Sequence, residues 1–167
     1  MDDIFTNDGG GGGGGFLSWN AKDHYWKIKD ETVDPAELYI DAQSFRNGWA
    51  DTDADPKIFI YAEALGETLD KPSDNYKNVW RVDAYVPDYG DMPFSWFSWS
   101  VLNVFRPLYK KIKDQPAGQM SKFEVTTDLA KDKRGNAGPG LKFIGFVDRP
   151  GDSAPAPAAA ADQDTVF

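Results

Sequence analysis

A chain of 167 residues with a net charge of −9 and no cysteine can bury one sizeable core, and it excludes disulfide scaffolds, thiolate zinc sites and cysteine nucleophiles. Its one histidine, His24, leaves little material for a histidine zinc site or a Ser–His triad, so neither an enzyme nor a cofactor is expected. No basic-then-apolar leader or long apolar run is present, so no membrane span is expected and the default location is the cytoplasm, that of the host cell if the protein is viral.

Taken in order, residues 1–15 are acidic and then seven consecutive glycines from Gly9, a flexible leader with nothing to bury. A phosphate loop is rejected there, because no strand precedes the glycines and no Lys-Ser/Thr follows. Residues 16–29 read as two short strands around a turn at Lys22 and Asp23. In the second, Trp26 and Ile28 share one face and Tyr25, Lys27 and Lys29 the other. Residues 37–44 read as a further strand, with a turn at Asn47 and Gly48 before Trp49. The acidic stretch 51–56 places Asp51, Asp53 and Asp55 at EF-hand spacing. Pro56 and Ala62 stand where that loop needs its glycine and glutamate, so a calcium site is rejected.

Residues 57–64 look like a strand and 65–78 like a loop. Residues 79–86 alternate well, Trp80, Val82, Ala84 and Val86 facing one way and Arg81, Asp83 and Tyr85 the other. After 87–93 comes the clearest helix signal, 94–115, with Phe97, Val101, Phe105, Leu108 and Ile112 in steps of three or four. Ser95 is its expected N-cap, and Pro107 predicts a kink or two abutting helices. Strands at 122–127 and 141–148 flank a basic, glycine-rich connection, 129–140. From residue 150 the chain is Ala/Pro/Asp without periodicity, a disordered acidic tail by composition. The reading is therefore a leader (1–15), one domain (16–149) and a tail (150–167).

Charge is distributed unevenly: residues 16–105 carry −8, residues 106–149 carry +5, and the two ends −3 each. The predicted fold is mainly β, an OB-like five-stranded Greek-key barrel with one helix between strands 3 and 4, extra N-terminal strands and disordered tails. Such barrels bind oligonucleotides with the face of strands 2–3 and the loops 1–2 and 4–5. The connection 129–140 takes the place of loop 4–5, and the basic charge concentrates there.

Aromatic platforms under bases and cations along phosphates hold single strands. The candidate platforms are Tyr25, Tyr85, Phe59 and Trp49, and Tyr61 shares the non-core face of its strand with Phe59. The candidate phosphate contacts are Lys27, Lys29, Arg81, Lys131, Lys133 and Arg134. The bland alternatives are rings in the core and cations on a solvated rim. The strand–helix–hairpin order, the basic loop and the end Asp162-Gln-Asp164-Thr-Val-Phe167 resemble single-stranded DNA-binding proteins of the bacteriophage type. That resemblance implies a sequence-independent, non-enzymatic role in replication and recombination. It also implies that Asp162, Asp164 and Phe167 recruit replication proteins. A homo-oligomer is compatible with it. The main rival is a β-sandwich structural or interaction module, such as a virion or adaptor protein. A carbohydrate-binding module is a third reading.

Overall fold

The computed structural model describes residues 16–150; the leader and the tail residues Asp162, Asp164 and Phe167 lie outside them. Ten strands form one curled, open sheet in the manner of a half-barrel. They are β1 (Leu17–Asn20), β2 (Tyr25–Ile28), β3 (Glu31–Val33), β4 (Glu37–Ile40), β5 (Arg46–Asp51), β6 (Ile58–Tyr61), β7 (Lys77–Val86), β8 (Gly90–Trp96), β9 (Gln119–Thr126) and β10 (Gly140–Asp148). The main path is β10-β9-β4-β7-β8-β1-β2-β3, and β5 and β6 branch from the first half of β7.

β7 is the axis of the sheet because it is its longest strand, and from Trp80 to Val86 its even positions are apolar and face the core. Its neighbour on one side is β8, paired from Trp80 to Val86. On the other side, β5 pairs Lys77 to Arg81 and β4 takes over at Ala84 and Tyr85. The handover is a 3-10 turn, Ala42–Ser44, capped by Asp41, whose carboxylate accepts from the Gln43 amide.

The inner face carries the core: Leu38, Ile40, Val82, Ala84, Val86, Met92, Phe94, Trp96 and Phe123 from the strands, closed by Val101, Phe105 and Ile112 of helix α1 (Trp99–Ile112). Phe94 is fully buried and touches Trp26, Trp96 and Phe105, with ring centroids 4.9–5.9 Å apart, so one ring links β2, β8 and the helix. Burying such a side chain stabilises the fold by about 1.5–3 kcal/mol.

Helix α1 starts later than its apolar spacing predicts. Phe94, Ser95 and Trp96 belong to β8, and the N-cap is Ser98, which accepts from the Ser100 amide, not Ser95. The spacing of Phe94, Phe97 and Val101 suits a helix, but Met92, Phe94 and Trp96 at period two fill the inner face of the sheet, and that burial decides. Pro107 sits inside one continuous helix. Asn103, whose carbonyl loses its partner to the proline, is exposed, where water can replace it. Asn47 and Gly48 do not turn the chain either. They lie inside β5, each paired with both β6 and β7 or hydrogen-bonded to them.

Two features close the half-barrel. Gln115, just past the helix, satisfies all its hydrogen-bonding capacity. Its oxygen accepts from the Ala42 amide and the Ser121 hydroxyl, and its nitrogen donates to Asp41 and to the Gln119 carbonyl. Arg149 adds an ion pair to Asp41 at 2.7 Å. At the other end, the connection before β10 docks on the β1–β2 hairpin. The Ala137 amide donates to the Ala21 carbonyl, and Trp19 Nε1 donates to the Ala137 carbonyl.

Candidate functional site

The outer face of β7 and its neighbours gathers rings and cations in two places. At the C-terminal half, Tyr39 and Tyr85 stand directly opposite each other on β4 and β7 and pack edge-to-face, centroids 5.8 Å apart. Lys122 of β9, opposite Tyr39 on the other side, holds its Nζ 5.8 Å from the Tyr39 ring. Glu37 ties the group together: one carboxylate oxygen accepts from the Tyr39 hydroxyl at 3.1 Å, the other meets Lys122 at 3.3 Å. The Tyr39 phenol is pushed above its ordinary value by burial and then by Glu37, and the Lys122 ammonium is raised first by its Glu37 hydrogen bond.

At the N-terminal half, the rings come from β6. Phe59 and Tyr61 stack at 6.4 Å with 13° between their planes, and Phe97, just past β8, lies 6.5 Å from Phe59. Arg81 of β7 sits over Tyr61 at 5.6 Å and bonds Asp83 at 3.0 Å. Tyr61 can lie this close because its strand partner is Gly48. A Cβ there would come within 2.9 Å of Tyr61 Cα and Cδ1. Burial raises the Tyr61 phenol, and Ser95 and Arg81 pull the other way.

Each place thus holds a ring pair, a cation over one ring, and a carboxylate on that cation. Arg81 and Tyr85 are four residues apart on one strand, so the two lie about 13 Å apart along β7. Partly exposed rings flanked by cations are suited to base stacking with phosphate contacts beside them.

Of the residues singled out from sequence, Phe59, Tyr61, Arg81 and Tyr85 belong to this strip. Tyr39, Phe97 and Lys122 complete it. Tyr39 and Lys122 were legible as the polar-face partners of Leu38, Ile40 and Phe123, had the register across β4 and β9 been known. Trp49 is on the opposite face, since it pairs with Asn78 while its neighbours Gly48 and Ala50 face the strip. Its indole donates to the Leu69 carbonyl at 2.7 Å, which commits it to the 62–76 connection.

Tyr25 and Lys27 share the face of β2 away from the core, separated from β7 by β8 and β1. Lys29 does not extend that row. It follows the strand in a left-handed turn, φ +57°. Lys131, Lys133 and Arg134 are exposed at the tip of the β9–β10 connection. That tip is built: Asp132 accepts from the amides of Arg134 and Asn136, and Gly135 takes φ +87°. His24 Nε2 donates to the Gly135 carbonyl at 2.7 Å, so the tip and the hairpin carrying Tyr25 form one corner of the molecule.

Among the described residues no group of three or more His, Cys, Asp or Glu could hold a metal ion, and no helix is long and apolar enough to cross a membrane. No family model, curated protein or solved structure matches the chain.

Proposed function

We propose that the chain binds single-stranded DNA without sequence preference, on the outer face of β7 and its neighbours. One observation carries the reading: two ring pairs, each with a cation over one ring, lie on one face of the sheet around β7. Bases stack on Tyr39, Tyr85, Phe59 and Tyr61, each platform contributing about 1–3 kcal/mol. Lys122 and Arg81 meet the phosphates. Tyr25 with Lys27, and Lys131, Lys133 and Arg134, extend the contact at the hairpin corner.

An OB-type barrel is part of this reading, and the strand pairing supports it. β4 pairs with both β7 and β9, β7–β8 and β9–β10 are hairpins, and α1 falls between them. Taking β4, β7, β8, β9 and β10 as the five strands, the strip crosses strands 1, 2 and 4. The β5–β6 hairpin is then part of loop 1–2, and residues 127–139 are loop 4–5, the two loops such barrels use for oligonucleotides. By the resemblance of the tail, Asp162, Asp164 and Phe167 recruit replication proteins.

The test is fluorescence anisotropy of labelled oligo-dT with the full chain at two salt concentrations. Binding that weakens with salt is expected; no binding at low salt refutes the proposal.

A second reading, an interaction module indifferent to nucleic acid, is favoured by a groove on the inner side. It encloses about 430 Å³ between α1 and the 62–76 connection, lined by Phe45, Leu65, Trp80, Leu102, Phe105 and Tyr109. Trp99, 66% exposed at the helix start, lies beside it, under the guanidinium of Arg106, which also lines the groove. Stable association with a protein partner, together with indifference to oligo-dT, selects this reading.

A further inference from the structure

The two cations that sit over rings of the strip are already spoken for. Lys122 rests on Glu37 at 3.3 Å and Arg81 on Asp83 at 3.0 Å, and each carboxylate comes from the strand face that would receive the nucleic acid. Glu37 is held in place twice, by Lys122 and by the Tyr39 hydroxyl. Asp83 is the exposed residue between Arg81 and Tyr85, in the middle of the strip.

We propose that Glu37 and Asp83 are specificity determinants of this face, internal counterions that a phosphate has to displace. The proposal rests on the single-strand reading above and deepens it. Phosphate meeting a bare lysine releases condensed counterions from the nucleic acid, and that release drives binding. Phosphate meeting Lys122 must first part it from Glu37, and the freed carboxylate then gathers a cation from solution. Charge alone therefore gains little here, and affinity has to come from rings under bases. Polyanions without bases to offer, such as heparin or an intact duplex, are held off. A single strand with splayed bases stacks on Tyr39, Tyr85, Phe59 and Tyr61 and is accepted.

Glu37→Gln tests this cleanly, because the amide oxygen still accepts from the Tyr39 hydroxyl while the charge is lost. Glu124 is the control: it stands opposite Glu37 on the neighbouring strand and forms no ion pair among the described residues. The full chain and its variants are titrated with labelled oligo-dT across a salt series, and with heparin as competitor.

Glu37→Gln is expected to bind oligo-dT about 1.5- to 5-fold more tightly, the range that an exposed ion pair commands. Its salt dependence should steepen by about 0.7 in log–log slope, one phosphate contact on a single strand. Asp83→Asn should do the same at Arg81, and the double variant should become sensitive to heparin. In a Lys122→Gln background the Glu37→Gln gain should vanish, since the two residues act as one unit.

Unchanged or weaker binding by Glu37→Gln, an equal gain from Glu124→Gln, or a gain that survives loss of Lys122 each overturns the proposal while leaving single-strand binding intact. Failure of the wild type and all variants to bind oligo-dT instead removes the reading on which it stands.

Discussion

Gly48→Ala is the perturbation that the fold tolerates least for its size. Gly48 is paired on both sides, with Val79 of β7 and Tyr61 of β6. An added Cβ runs into the carbonyl oxygen of Ile60 and lies 2.9 Å from Tyr61 Cα. These are backbone atoms, so no rotamer change relieves the contact, and the β5–β6 hairpin has to move. Inserting one carbon into a full site costs about 1–3 kcal/mol. At the upper end of that range Tm falls by about 6–12 °C in a chain of this length. Gly145→Ala is the matched control, because a Cβ there meets nothing within 4 Å and the substitution should stay within about 0.5 kcal/mol. Thermal unfolding followed by circular dichroism gives both values, and oligo-dT anisotropy gives the second consequence, weaker binding as Tyr61 leaves its seat. A Gly48→Ala protein that melts within about 2 °C of the Gly145→Ala protein refutes the close approach on which the Phe59–Tyr61 platform depends.

Gln115→Leu should destabilise by about 2 kcal/mol or more, because it strands the Ala42 amide and the Ser121 hydroxyl in a buried site; urea unfolding checks it. The Tyr61 phenol is raised by burial, so the unfolded chain loses that proton near pH 10 and the folded chain later. Its stabilisation is complete below pH 10 and is lost as pH climbs through the folded value, so Tyr61→Phe should flatten the alkaline fall in stability seen by circular dichroism. Tyr85→Ala should weaken oligo-dT binding by about 1–3 kcal/mol, whereas Trp49→Phe, on the opposite face, should leave the affinity unaltered in the same anisotropy titration.

The period-two stretches were legible because each buries one face. β2, β7 and the second hairpin follow the alternation of Trp26 and Ile28, of Val82, Ala84 and Val86, and of Phe123 and Val125. β8 escaped because Pro93 breaks its run and because Phe94 falls in phase with the helix that follows. β3 escaped because only Val33 of its three residues is buried. The strip was half legible. Arg81 and Tyr85 share a strand, so alternation alone puts them together. Phe59 and Tyr61 share another strand for the same reason, but Tyr39 and Lys122 come from two more, and only long-range register brings all of them alongside. Trp49 was misplaced for the related reason that its facing depends on whether Asn47 and Gly48 turn or extend, and Gly48 extends because Tyr61 needs the room.

Because β7 hands its edge from β5 to β4 halfway along, its two aromatic stations are fastened to the rest of the molecule by different struts. In strand pairing the β5–β6 hairpin joins the sheet through β7 alone, while β4 is clasped between β7 and β9. Thermal fluctuations that peel the hairpin outward unload the Phe59 and Tyr61 platform and leave Tyr39 and Tyr85 seated. Amide exchange in β5 and β6 should accordingly outpace exchange in β4 and β9. A bound strand could then be surrendered one end at a time, a bound polymer passing from one protein to the next without ever being wholly let go.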